Sequence, residues 1–165
     1  MVDSNQVWSV NETIEYINQL KQFDIMFYEE PTSPDDIIGF RKIKDAHPDI
    51  KLATGEMIQN KVIFKQFIEN KSLDYCQIDS CRIASINEIL PVLLIASKFN
   101  TPVIPHAGGI GLCEYVQHLN LINKFIITNN DLSLSEYAES CSEHLIIQQL
   151  LRTVGILPQL TPDIL

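Results

Sequence analysis

An α/β fold built on a parallel sheet is predicted for this chain, and three observations predict it. Short apolar runs of strand length alternate with stretches of helical period, an order that calls for crossover connections between parallel strands. Asp3, Glu29, Glu56, Asp79 and His106 stand at the C-terminal ends of those runs, spaced 23–27 residues apart. A strand, a turn, a helix and a second turn consume roughly that many residues. No low-complexity linker divides the series. The expectation is a partial (β/α)8 barrel, because 165 residues fall short of the about 250 that a closed eight-stranded barrel typically takes.

The elements follow in order. Ser9 and Glu12 form an S-x-x-E capping box ahead of an amphipathic helix, Glu12 to Gln22, with Ile14, Ile17 and Leu20 on one face. The strand Ile25-Met26-Phe27-Tyr28 ends in Glu29-Glu30-Pro31. Ser33 is then read as a cap, with Pro34 at the first helical position and Asp35 and Asp36 in the first turn. Lys51-Leu52-Ala53-Thr54 closes on Gly55-Glu56, and a helix spans about Lys61 to Glu69. Tyr75-Cys76-Gln77-Ile78 leads to Asp79, after which Ser85 and Glu88 box a helix to Phe99 that Pro91 should bend. Pro102-Val103-Ile104-Pro105 carries His106. A Gly-rich turn precedes the helix from about Leu112 to Leu121, and Phe125-Ile126-Ile127-Thr128 reads as the last strand. This gives a barrel domain over 1–145 and a divergent tail over 146–165, apolar and weakly patterned with Pro158 and Pro162.

Composition excludes several classes. Hydrophobic content of 45% supports a packed core, and the net charge is −9 with no aromatic-interleaved Lys/Arg cluster, which argues against nucleic acid. No apolar run reaches the roughly 20 residues that span a bilayer, so no membrane role is expected. Cys76, Cys81, Cys113 and Cys141 show neither CxxC nor ligand-spaced His. They read as thiols in a reducing compartment rather than a zinc site. No targeting peptide is recognisable at the start.

If the runs are parallel strands, their terminal acids share one rim, where barrel enzymes build active sites. Asp3, Glu29 and Glu56 then supply an all-oxygen set suited to a hard cation such as Mg2+, and clustered carboxylates need such a cation to persist. Asp79 and His106, on neighbouring strands, suit a carboxylate–imidazole pair acting as general acid or base. His47, His118 and His144 have no such company and read as surface residues. Gly108, Gly109 and Gly111 read as backbone passing close to a substrate. Lys42-Ile43-Lys44 has the spacing of a catalytic K-x-K pair but reads as a solvated helix face near that helix's C-terminus.

Taken as an ordered set, V-D-S-N-Q-x-W at 2–8, Y-E-E-P-T-S-P-D-D at 28–36, A-T-G-E at 53–56, Q-I-D-S-C-R at 77–82 and P-H-A-G-G-x-G-L-C-E at 105–114 resemble the enolase superfamily. Within it the resemblance is to the mandelate racemase-like branch and its acid-sugar dehydratases of the L-fuconate dehydratase type. It covers about residues 1–145 and implies a Mg2+-dependent hydro-lyase of carbohydrate catabolism working through an enediolate. Asp3, Glu29 and Glu56 match the Mg2+ ligands on barrel strands three, four and five, and Asp79 and His106 match the dyad on strands six and seven. Glu136 matches the strand-eight acid that hydrogen-bonds the enolate, with Asp131 as runner-up, while Asn5 and Trp8 line the metal and substrate side. Enolase-superfamily sites pair a Lys or His base with Mg2+.

The same resemblance implies a small sugar acid as partner, a homo-oligomer or pairing with a full-length subunit, and a mitochondrial or cytoplasmic home. It also begins at strand three, so the strand-two K-x-K base and the N-terminal capping domain fall outside it. A truncated product with little activity of its own is therefore expected. Two alternatives stand beside this reading: a racemase or epimerase of the same superfamily, and a non-catalytic interaction fragment.

Overall fold

A computed structural model describes residues 1–128 and 134–138, together with the backbone of 150–152 and 155–157. It divides into two compact units, 1–103 and 104–165.

In the first unit, strands β1 (Val2–Asp3), β2 (Tyr28–Glu29), β3 (Leu52–Thr54) and β4 (Tyr75–Cys76) form a parallel sheet in chain order. A parallel bridge from Cys76 to Val103 extends it by one position. Helices α1 (Val10–Leu20), α2 (Ile37–Ala46), α3 (Lys61–Glu69) and α4 (Ile86–Lys98) alternate with the strands as expected. Their apolar faces enclose a core of Ile17, Phe40, Ile43, Leu52, Phe64, Phe67, Ile89 and Leu93. The Phe40 and Phe67 rings meet edge to face with centroids 5.1 Å apart.

The helix starts show which cap signals hold. Ser9 and Glu12 close a reciprocal capping box on α1, each side chain meeting the other's backbone. For α2 the cap is Asp36, whose carboxylate accepts from the Gly39 N–H at 2.8 Å, and not Ser33. Ser33 instead builds a preceding turn, its carbonyl accepting from the Asp36 N–H. On α4, Ser85 occupies the cap position without a side-chain bond. Glu88 is turned to α3, taking the Lys61 ammonium at 2.7 Å, because an opposite charge outcompetes a lone backbone donor. The helix runs unbroken through Pro91.

The second unit holds α5 (Leu112–Ile122), whose N-cap Gly111 lies at φ +80°, a left-handed conformation suited to glycine. Residues Asn123–Thr128 are not the expected strand: they extend α5 as a π-helical turn. A short β-branched run is ambiguous between strand and helix, and with no breaker after Ile122 a formed helix propagates more cheaply than a strand begins. Ala107, Leu112, Cys113 and Val116 form a small core, against which Tyr137 packs. In the tail, β5 (Leu150–Arg152) and β6 (Gly155–Leu157) pair antiparallel. Among the described residues no helix is long and apolar enough to cross a membrane.

Candidate active site

Parallel strands put their C-terminal ends on one side, and the first unit's predicted residues are found there. Asp3 ends β1 and Glu29 ends β2, and the two are register partners. Glu56 follows β3 by one turn, in which the Ile58 N–H bonds the Gly55 carbonyl, and Asp79 follows β4. Asp3 is exposed, Glu56 half-buried, and Glu29 and Asp79 are buried at 3% exposure each.

Their partners differ. The Asp3 carboxylate accepts from the Asn5 backbone N–H at 2.8 Å and the Asn5 amide at 3.1 Å, so Asn5 fixes the first acid. Glu29 Oε1 accepts from the Gln77 amide at 2.7 Å. Asp79 accepts from the backbone N–H groups of Cys81 at 2.6 Å and Arg82 at 3.0 Å, which folds the turn beyond β4 around its carboxylate. Trp8, half-buried on the loop after β1, packs edge to face on Tyr16 of α1 at 5.0 Å. Among the described residues no three of His, Cys, Asp and Glu are gathered as a metal-holding group. The carboxylates share a rim without being closed up on one point.

Two residues at this rim escaped the sequence reading. Glu30 is 1% exposed and lies at φ +38°, and its carboxylate takes the Gln6 amide at 2.7 Å while its carbonyl takes the Gln6 N–H, also at 2.7 Å. Gln77 is the other. Its signal was available: an amide inside the apolar run Tyr75–Ile78 must find a partner or lose stability.

In the second unit, His106 Nε2 stands 3.4 Å from Glu136 Oε2. The same oxygen accepts from the Ala107 N–H at 2.9 Å, and the Glu136 N–H bonds the Pro105 carbonyl, so the segment bearing Glu136 is laced to the one bearing His106. Gly108 presses on the ring: a Cβ there would meet Nε2 at 2.7 Å and Cε1 at 2.8 Å. The glycine makes room for the imidazole. Asp131, Cys141 and His144 lie outside the described residues.

Other expectations need correction. His47 is not a surface residue but 4% exposed, its ring nitrogen Nε2 2.9 Å from the Ile14 carbonyl, because the polar ring satisfies an otherwise buried acceptor. His118 is exposed as expected. Lys42 is solvated, but Lys44 is drawn inward to Asp74 at 2.8 Å and the Ile50 carbonyl at 2.6 Å. A cleft of about 600 Å³ lined by Arg41, Lys44, Lys51 and Lys71 lies at the opposite, N-terminal end of the strands. It is distant from the acids in the fold and is fastened by ion pairs to Asp74.

Residues 1–155 match the family model described as enolase C-terminal domain-like. The chain belongs to this family. Enolase-type relatives include an L-galactonate dehydratase from Hypocrea jecorina, 50% identical over 148 residues that make up 88% of this chain and 33% of the relative. Human mitochondrial enolase superfamily member 1 is 45% identical over 166 residues, 98% of this chain and 37% of the relative. Its crystal structure superposes with a TM-score of 0.90 at 44% identity, covering 96% of this chain and 36% of that one. A rhamnonate dehydratase from Gibberella zeae, crystallised with Mg, gives a TM-score of 0.71 at 34% identity over 83% of this chain and 31% of that one. The chain thus spans about a third of the length of the curated relatives it matches.

Proposed function

We propose that this chain carries the metal-holding and proton-donating part of an acid-sugar dehydratase, with β1 to β4 standing as the third to sixth strands of an eight-stranded barrel. Asp3, Glu29 and Glu56 would hold Mg2+. The donor set suits a hard cation in kind: three carboxylates follow three consecutive parallel strands, and the first two are in register. As the side chains lie they are not closed up, so binding must draw them together. Bound there, Mg2+ supplies charge that offsets a substrate carboxylate and eases removal of the adjacent proton.

The chain's own groups do the rest. Asp79 and His106 would serve as the dyad that the resemblance implies, with His106 giving its proton to the departing 3-hydroxyl. The observation that carries this reading is the His106–Glu136 contact at 3.4 Å. A carboxylate at that distance can fix the orientation of an imidazole acting as a proton donor. A proton held between these groups can also meet negative charge developing on a substrate oxygen. Asn5 holds Asp3, and Trp8 walls the substrate side of β1.

Removal of the C2 proton needs a base. In the dehydratases this chain resembles, it is a strand-borne lysine of a K-x-K pair, whereas Lys42 and Lys44 sit here on α2. Low turnover by these residues alone follows, since a missing acid or base costs about 10²–10⁴-fold. L-fuconate is the first substrate to test, because it is L-galactonate without its 6-hydroxyl and presents the same centres where bonds break. A mitochondrial home and pairing with a second, longer subunit complete the proposal, the former resting on the animal relatives' name.

Calorimetric titration with L-fuconate or L-galactonate, with and without Mg2+, tests this. Mg2+-dependent binding is expected, and no binding in either condition would overturn it. Formation of 2-keto-3-deoxy acid should lag that of a full-length dehydratase by about the factor above. Equal rates would mean that a base on this chain has gone unrecognised.

A further inference from the structure

Gln77 does something at the rim that no ligand assignment explains. It is 4% exposed, and its amide reaches over β3, which lies between β2 and β4, to donate to Glu29 Oε1 at 2.7 Å. The intervening strand is built to leave that path open. Opposite Glu29 in register it offers only Ala53. Two residues on, Gly55 lies at φ +142°, where a Cβ would stand 2.4 Å from the Gln77 carbonyl oxygen. The Gln77 N–H is itself anchored on the Thr54 carbonyl at 3.0 Å. A buried amide costs stability unless bonded, and a bond to a carboxylate is stronger than one between neutral groups.

Asp3 and Glu29 are therefore held by different means. Asp3 takes both its bonds from Asn5, two residues away in sequence. After Glu29 the chain turns at Glu30 into the left-handed region, and Glu30 gives its carboxylate to Gln6. Gln77 reaches Glu29 across 48 residues of chain.

We propose that Gln77 is a positioning residue for Glu29: it sets the direction and reach of that carboxylate before a divalent cation arrives. This inference rests on the metal reading of the rim proposed above. Groups that orient metal ligands typically change affinity by about 10–100-fold when lost.

The test is Mg2+ titration calorimetry on the chain as it stands, in wild type and in Gln77→Met, which keeps the volume and removes the donor. Thr54→Val serves as a control, since it trims a buried hydroxyl that makes no hydrogen bond and leaves Gln77 and Glu29 intact. Expected is a Kd raised about 10–100-fold in Gln77→Met and unchanged in Thr54→Val. Gln77→Asn, which withdraws the amide by one methylene, replaces the Met variant if that fails to fold, with the same direction expected. Thermal unfolding without metal is the second readout. A lowered Tm with unaltered Mg2+ affinity would make Gln77 merely structural and overturn the proposal. Wild-type chain that binds no Mg2+ would overturn the metal reading and this role with it. That failure is distinct, because the unsubstituted protein itself is then silent.

Discussion

Lys71 and Asn100, at the N-terminal approach to β4 and to the Val103 bridge, lie at φ +54° and +55°; at the other end of the strands Asn5, Gln6 and Glu30 lie at +45°, +66° and +38°. The conformation is the same, but the causes are not. Lys71 and Asn100 follow the last turns of α3 and α4, where the Lys71 and Ser72 N–H groups bond Ile68 and Phe67 carbonyls, and those of Asn100 and Thr101 bond Ser97 and Ala96. That pair of bonds is the Schellman ending of a helix, which requires a left-handed residue at just this position. Asn5, Gln6 and Glu30 end no helix. They bend the backbone where two strands deliver acids, and each engages a neighbouring acid or amide. Helix termination explains the strain at the base, and side-chain placement explains it at the rim.

The charges divide likewise. At the base Asp74 is neutralised by Lys44 at 2.8 Å and Lys51 at 3.5 Å, and takes the Leu52 N–H at 2.8 Å as well. At the rim the buried Glu29 and Glu30 take side-chain amides and Asp79 takes backbone N–H groups. A barrel's base secures stability and its C-terminal rim carries chemistry, and the proposed function assigns the same division to the four strands of this sheet.

The comparison can be broken in four ways. The largest effect is expected from Glu29→Gln, which should weaken Mg2+ binding by more than the about 100-fold upper range for an outer partner; a calorimetric Kd near wild type would remove the functional half of the contrast. Asp74→Ala should cost about 2–3 kcal/mol, the worth of bonds to a charged group that also releases two lysines, read as a fall in denaturant midpoint with Mg2+ affinity retained. Lys71→Gly should stabilise the chain by up to about 1 kcal/mol, because glycine carries no penalty in the left-handed region. The same change at Glu30 should not stabilise, since it forfeits the Gln6 bond. Differential scanning calorimetry on both variants decides this.

The smallest effect concerns Glu88. Hydrogen bonds from the Lys61 side chain and backbone hold its carboxyl below the ordinary glutamate range. A depressed folded pKa stabilises fully above the unfolded value, about 4.3, and that contribution is lost as pH falls through the folded value. The Tm difference between wild type and Glu88→Gln should thus be seen at neutral pH and fade below about pH 4.

Much of this was legible because apolar spacing and strand-end acids are local signals. The bounds of α3, the capping box on α1 and the rim position of Asp3, Glu29, Glu56 and Asp79 all follow from residues near each other in sequence. What escaped depended on distant partners. Glu88 left its expected box for Lys61, 27 residues away, and Lys44 left solvent for Asp74, 30 residues away. His47 was drawn under α1 by the Ile14 carbonyl. The run Phe125–Thr128 has strand composition, yet the helix before it continues through as a π turn. Glycine is the usual mark of a Schellman ending, and its absence at Lys71 and Asn100 hid both.

Cys81 gives the rim a practical handle. It is exposed and its N–H donates to Asp79, while Cys113 is buried and burial drives the Cys76 thiol far above its ordinary pKa. In a Cys141→Ser variant, a maleimide dye at neutral pH should couple to Cys81 well before either buried sulfur. Fluorescence from that label would then register any rearrangement of the loop that cradles the aspartate, whether or not turnover occurs.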